Sequence, residues 1–113
     1  MHEYSVTKSL VELCNQEAEK HGISSIRLIK LKLGKFTGFS PAAINFYFDY
    51  LKVSTRCESA RIEFSEIPIR IRCYNCQYED EILEPIFICP QCGNIELEII
   101  SGREFYVESI EGE

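Results

Sequence analysis

Four of the six cysteines, Cys73, Cys76, Cys89 and Cys92, form two C-x-x-C pairs with twelve residues between them. A two-residue gap lets both sulfurs of one tight turn face a single ion, and two such turns complete a tetrahedron. Zn²⁺ prefers that geometry and soft sulfur donors. Gly93 follows the second pair, where a tight turn gains from a positive φ. A segment of this length cannot build a core of its own, so metal binding must supply much of its folding free energy. Iron held by four thiolates fits the same spacing. A thioredoxin-like redox site is a poorer match, because it needs one C-x-x-C at a helix start rather than two pairs in an extended context. A closed four-sulfur site leaves no position for water, so zinc there is structural or regulatory rather than hydrolytic. Cys14 and Cys57 fall outside the pattern and read as small buried hydrophobes.

The amino terminus offers a second chemistry. Histidine is scarce, at His2 and His21 only. Methionine aminopeptidases act on small second residues, so Met1 is expected to remain. Its α-amine, the His2 backbone nitrogen and the His2 imidazole can then close consecutive chelate rings. A square-planar nitrogen set suits Ni(II) or Cu(II). Glu3 can add its backbone nitrogen or its carboxylate. These donors must lose protons first, so affinity should fall as pH drops. The same residues have plain readings: His2 as an exposed terminal residue, and Glu3 as an acid favouring a helix N-terminus. His21 reads as a helix-end cation, and is the one other histidine available as a ligand.

The elements that must position these groups are legible in outline. Val6, Leu10, Leu13, Cys14 and Ala18 follow helical spacing, and Lys20-His21-Gly22 reads as the end of that helix. Ile26 to Leu33 reads as a strand whose inward phase slips at Leu28-Ile29. Ser40 and Pro41 open a second helix, with Ile44, Tyr47, Phe48 and Leu51 as its apolar stripe. Ala60 to Ile71 alternates as an edge strand, or as two strands broken near Pro68. Strand alternation returns over Ile95, Leu97 and Ile99 and again at Phe105 and Val107. The expected fold is α+β: a small mixed β-sheet covered by two helices, with an inserted four-cysteine zinc-ribbon-like domain. The expected boundaries are 1–72 and 94–113 for the α/β domain and 73–93 for the insert.

Composition limits the partners. The chain has 113 residues, 45% of them apolar, enough for one compact domain with a small appendage. Twelve Lys+Arg against eighteen Asp+Glu give a net charge of −6, which argues against nucleic acid as a partner. Glu79, Asp80, Glu81 and Glu84 would repel phosphate and read as a solvated loop. No apolar run is long enough for a membrane span, and no signal peptide is visible, so the expected setting is the cytoplasm. Neither a nucleophile elbow nor a phosphate loop is present, so the expectation is not an enzyme.

Taken together, the opening Met1-His2-Glu3-Tyr4-Ser5, the run Leu31-x-Leu33-Gly34-x-Phe36-x-Gly38, the stretch Pro41 to Asp49 and the double C-x-x-C insert resemble the HypA/HybF family of hydrogenase nickel-incorporation proteins. The resemblance covers essentially the whole chain. It implies a nickel metallochaperone that binds Ni(II) through Met1, His2 and Glu3 and holds a structural Zn²⁺ through Cys73, Cys76, Cys89 and Cys92. It further implies a HypB-type nucleotide-hydrolysing partner and delivery to the large subunit of [NiFe]-hydrogenase. Many family members carry an acid where this chain has Ser40, and some carry His beside the zinc cysteines, where this chain has none. The alternative reading is a zinc-ribbon protein-interaction adaptor without nickel transfer.

Overall fold

A computed structural model describes residues 2–113, so the expected role of Met1 lies outside the described residues. The chain divides into two compact units. One comprises the residues up to Lys32, Gly38–Ser65 and Tyr106–Glu113; the other comprises Leu33–Thr37 and Glu66–Phe105.

The first unit opens with helix α1, Glu3–Lys20. Thr7, Leu10, Val11, Cys14 and Ala18 are its buried positions, a stripe with the helical period. Leu13, expected on that stripe, is exposed, because its neighbours Val11 and Cys14 take the inward direction. The helix ends as Gly22 predicts. Gly22 has φ +69° and donates to Glu19 O, and Ile23 N–H reaches back to Ala18 O at 2.8 Å. These two bonds form a Schellman motif, which glycine stabilises by adopting the left-handed conformation without strain.

Helix α2, Pro41–Leu51, starts where Ser40 Oγ accepts the Ala43 N–H at 3.3 Å. Pro41 sits in the first turn, where its missing N–H costs nothing. Ile44 and Phe48 are buried, with Tyr47 and Leu51 half-buried. The helix packs on α1, and the Tyr4 and Tyr47 rings meet edge to face at 5.5 Å. The sheet of this unit has strand β1 (Ile26–Gly34) at its centre, between β2 (Arg61–Ile67) and β6 (Phe105–Gly112). Ile26, Ile29, Leu31 and Leu33 are the fully buried β1 side chains, so the phase slips where the sequence indicated. Lys30 pairs with Glu111 and Lys32 with Glu108, across from β1 to β6.

The second unit is built on β3 (Ile69–Cys73), flanked by β4 (Glu79–Ile82) and β5 (Leu97–Ser101), both antiparallel to it. Ile71 stands opposite Asp80 on one side and Ile99 on the other. Gly34 N–H donates to Glu104 O and Phe36 N–H to Gly102 O, so the short 3-10 turn Lys35–Thr37 belongs to this unit.

The α+β class with two helices is as expected, but three details differ. The strands form two three-stranded sheets rather than one. Pro68 has no N–H to give a ladder, and the chain leaves one sheet there to become the centre of the other. The acidic run Glu79–Glu81, expected as a loop, is the edge strand β4. Charge on an edge strand is tolerated because one side of the strand faces water. The compact unit that carries the cysteines is also wider than 73–93, since β3 and β5 pair to each other and carry Ile69 to Phe105 with them.

Candidate metal centre

Cys73 ends β3 and is buried; Cys89 is buried, while Cys76 and Cys92 are exposed. The four sulfurs all lie within 4.8 Å of one another, with Cys73–Cys92 and Cys76–Cys89 both at 3.6 Å. A tetrahedron with metal–sulfur arms near 2.3 Å has edges of about 3.8 Å, so these sulfurs stand close to the spacing one ion demands. Among the described residues they are the one such group of potential donors.

The two C-x-x-C turns repeat one backbone pattern. The N–H of Gln77 donates to Cys73 O at 3.0 Å, and the N–H of Gly93 donates to Cys89 O at 2.8 Å. The N–H groups of Cys73 and Cys89 donate in turn to Tyr78 O and Asn94 O, each at 2.8 Å. Gln77 and Gly93 both hold a positive φ, 65° and 79°. Glycine adopts it without strain, whereas Gln77 is held there by the turn. Gln77 was not singled out in the sequence. Its position immediately after the second cysteine of its pair, as Gly93 is after its own, was the available signal.

Hydrogen bonds to sulfur favour the thiolate, the form that binds metal. The Gln91 N–H points at Cys89 Sγ at 3.4 Å and the Asn75 amide at Cys92 Sγ at 3.7 Å. The backbone amide of Asn94, then the Asn75 side chain, lower the Cys92 thiol to about 7. At Cys76 the Tyr78 amide also favours the thiolate. Burial and the neighbouring thiols of Cys89, Cys92 and Cys73 prevail and push it up to about 12. Four sulfurs this close cannot all ionise unaided. A soft dication removes the conflict, so the donor set and its spacing fit a resident tetrahedral metal.

The amino-terminal residues belong to the other unit. His2 is the N-cap of α1 and is exposed. Its carbonyl accepts the Val6 N–H at 3.1 Å, and its imidazole makes no capping bond. Glu3 is only 8% exposed. Its carbonyl accepts the Thr7 hydroxyl at 2.6 Å, and its carboxylate accepts the backbone N–H of Ser40 at 3.1 Å. The acid therefore serves the N-terminus of α2 as well as sitting in the first turn of α1. Its backbone nitrogen and its carboxylate have separate tasks open to them, the second already engaged.

Cys14 and Cys57 are buried in the first unit, as their composition reading had it. A hydrogen bond between them pushes the Cys14 thiol up and draws the Cys57 thiol down. His21 is exposed at the end of α1, 3.7 Å from Glu17. Among the described residues no helix is long and apolar enough to cross a membrane.

Comparison with known proteins agrees with this arrangement. Residues 1–112 match a family model described as hydrogenase/urease nickel incorporation, metallochaperone, HypA. The chain is 38% identical over 113 residues to a hydrogenase maturation factor HypA of Moorella thermoacetica, covering 100% of both chains. It is 37% identical to the HypA of Caldanaerobacter subterraneus subsp. tengcongensis, again over 100% of both. In fold it is similar to the solution structure of the Ni metallochaperone HypA from Helicobacter pylori. That likeness has a TM-score of 0.70 at 24% identity and covers 99% of this chain and 97% of that one.

Proposed function

Since the chain belongs to the HypA family of hydrogenase/urease nickel-incorporation metallochaperones, we propose that it carries Ni(II) at its amino terminus, on Met1, His2 and Glu3, and hands it on for [NiFe]-hydrogenase maturation. The observation that carries this reading is the pairing of a whole-chain family match with an exposed His2 whose imidazole is free of capping duty. Nickel is cargo, so its donors must both grip and release. An imidazole and backbone nitrogens at a chain end suit stepwise ligand exchange. Glu3 contributes its backbone nitrogen to the set, while its carboxylate anchors the first turn of α1 to Ser40.

The resident metal in this reading is Zn²⁺ on Cys73, Cys76, Cys89 and Cys92. Zinc supplies there a redox-inert tetrahedral node that holds two turns together. The chain's own amides at Gln91, Tyr78 and Asn94 stabilise the thiolates that receive it. A carrier needs no reaction of its own, so the protein acts as a chaperone and not as an enzyme. Its partners in this reading are a HypB-type nucleotide-hydrolysing protein and the hydrogenase large subunit, in the cytoplasm. Cu(II) binds nitrogen sites more tightly than Ni(II), so fidelity comes from partners and metal supply.

Elemental analysis after nickel loading and desalting tests the reading, with and without His2. One zinc and one nickel per chain, the nickel vanishing in His2→Ala, is the expected result. Zinc alone in the wild-type protein would leave the zinc-ribbon adaptor instead.

A further inference from the structure

We propose that Cys14 and Cys57 form a redox-active pair, a modification site at which a hydroperoxide converts two thiols into a disulfide that fastens α1 to the turn ahead of β2. Neither cysteine belongs to the metal centre, and nickel carriage makes no use of them. Cys14 lies within α1, and Cys57 lies between the end of α2 and the start of β2. They are 1% and 0% exposed. The chain sets them side by side. The Arg56 N–H, one residue before Cys57, donates to the side-chain oxygen of Asn15, one residue after Cys14, at 3.0 Å. Arg56 is also held by the segment that follows α1. Its guanidinium donates to Ile23 O, and its carbonyl accepts the Ile26 N–H, each at 2.8 Å. The Cys57 N–H donates to the Thr55 hydroxyl oxygen at 3.0 Å, which fixes the turn itself.

Within that frame the two side chains hydrogen-bond to each other. Sulfurs in such contact need to close by only about 2 Å to reach the S–S bonding distance. Cys14 supplies the proton of the hydrogen bond. Its own thiol is thereby held neutral, and Cys57 is drawn toward the thiolate. Alanine or valine would fill the same core space. Two sulfurs that face each other with opposed acidities instead divide the work of attacking and resolving thiol.

A cleft of about 330 Å³ between α1 and β6 leads to the pair from the Cys14 side. Leu13, Cys14 and His21 line it on the helix, Val107 and Ile110 on the strand. Leu13 and His21 are exposed, so the cleft meets solvent. A hydroperoxide is small enough to enter, whereas a bulky thiol reagent cannot reach sulfurs so deeply covered. The Cys57 thiolate attacks one peroxide oxygen and the O–O bond breaks, leaving a sulfenic acid on Cys57. The other oxygen departs as hydroxide and becomes water with the proton that Cys57 gave up to solvent. The Cys14 sulfur then attacks the Cys57 sulfur. The S–S bond forms, the S–O bond breaks, and the departing hydroxide takes the Cys14 proton as a second water. The two sulfurs together lose two electrons and the peroxide gains two. The bridge closes a loop that runs through β1 and α2, which restricts the unfolded chain.

The test treats the full-length, zinc-loaded protein with a small molar excess of hydrogen peroxide and then alkylates the remaining thiols under denaturing conditions. Intact mass, zinc content and peptide mapping without reductant are the readouts. The expected result is a monomer lighter by about 2 Da before alkylation, the two thiol hydrogens. It should keep its zinc, carry a Cys14–Cys57 link, and return to the starting mass with dithiothreitol. Amide exchange in α1 should slow at least about ten-fold on oxidation, because the bridge opposes opening of the first unit. Cys14→Ser keeps a hydrogen-bond donor beside Cys57 but has no resolving sulfur, so dimedone should trap a sulfenic acid on Cys57. Free thiols at both positions after peroxide treatment of the wild-type protein overturn the proposal. So does oxidation that begins with Cys73, Cys76, Cys89 or Cys92 and releases zinc, which would make the metal centre the peroxide target. A link between two chains overturns it too, and unchanged amide exchange in the bridged protein overturns the fastening of α1.

Discussion

The carboxylate of Glu3 reaches the backbone N–H of Ser40 at 3.1 Å, a contact between residues 37 apart in the chain. One acid thus sits at two helix starts, inside the first turn of α1 and just ahead of α2. It tethers the segment after His2 to a second helix, and it does so while almost buried.

Glu3→Ala removes the acceptor and leaves the Ser40 N–H without its partner. A hydrogen bond to a charged group contributes about 1.5–3 kcal/mol, so a loss of that order is expected in urea unfolding of the zinc-loaded protein. Glu3→Gln can still accept through its amide oxygen and should lose less. Equal stability of all three proteins would show that the bond contributes nothing.

His2→Ala should abolish stoichiometric Ni(II) binding while the chain keeps one zinc and its helical circular dichroism, because His2 makes no capping bond that folding needs. A tag fused ahead of Met1 should also weaken binding, since the amine becomes an amide. Calorimetric titration of tagged and untagged protein decides this. Equal affinities would remove the amine from the donor set.

Stripping the resident metal with a chelator should unfold the second unit and spare the first. The sheet β4-β3-β5 and the sulfur cluster hold the turns together, whereas the first unit has α1, α2 and a separate sheet. Amide exchange should accelerate over 66–105 and remain slow in α1 and β1. Four thiols should become reactive, with Cys14 and Cys57 still protected by burial. Uniform loss of protection across the chain would contradict this division.

Gly34→Ala and Gly93→Ala should differ sharply. A Cβ on Gly34 would overlap the Gly102 carbonyl and the Glu104 nitrogen, both backbone, so the paired segments must separate. The expected loss exceeds about 3 kcal/mol, in the range of severe overpacking. A Cβ on Gly93 meets nothing within 4 Å, and only its φ of +79° opposes the change. That conformation costs an L-residue about 1–2 kcal/mol. Denaturant midpoints of the two variants provide the comparison.

Asp80 predicts a pH effect. The Glu81 backbone N–H at 2.7 Å and the Tyr78 hydroxyl at 2.9 Å donate to its carboxylate and hold its pKa below the ordinary value. The depressed folded-state pKa means that the stabilisation is complete above the unfolded value, about 3.9. It is lost as pH falls through the folded one. Asp80→Asn should therefore lower stability in the neutral region, where the wild type carries the full stabilisation, and converge with the wild type in acid, which flattens the acid limb of the profile. An unaltered acid limb would count against the assignment.

Much of this architecture was legible because local chemistry set it. Ser40-Pro41 and Gly22 mark helix ends through bonds to residues a few positions away, and the cysteine spacing defines its own turns. What was not legible depends on distant partners. Nothing near Glu3 indicates Ser40. Nothing near Gly34 indicates that Gly102 will press against it. The acidic run Glu79–Glu81 became a strand because β3 had an open edge, which its own composition does not advertise. Leu13 has the right type and spacing for the core, yet α1 turns it outward because Thr7, Val11, Cys14 and Ala18 define the stripe.

Strand β1 lies between β2 and β6, and β6 follows the four cysteines along the chain. During synthesis the four cysteines emerge before that strand does. The sulfur clasp can therefore close on its ion while the platform behind the leading histidine is still missing a side. Biogenesis then runs opposite to reading order: the unit begun before the clasp is finished after it.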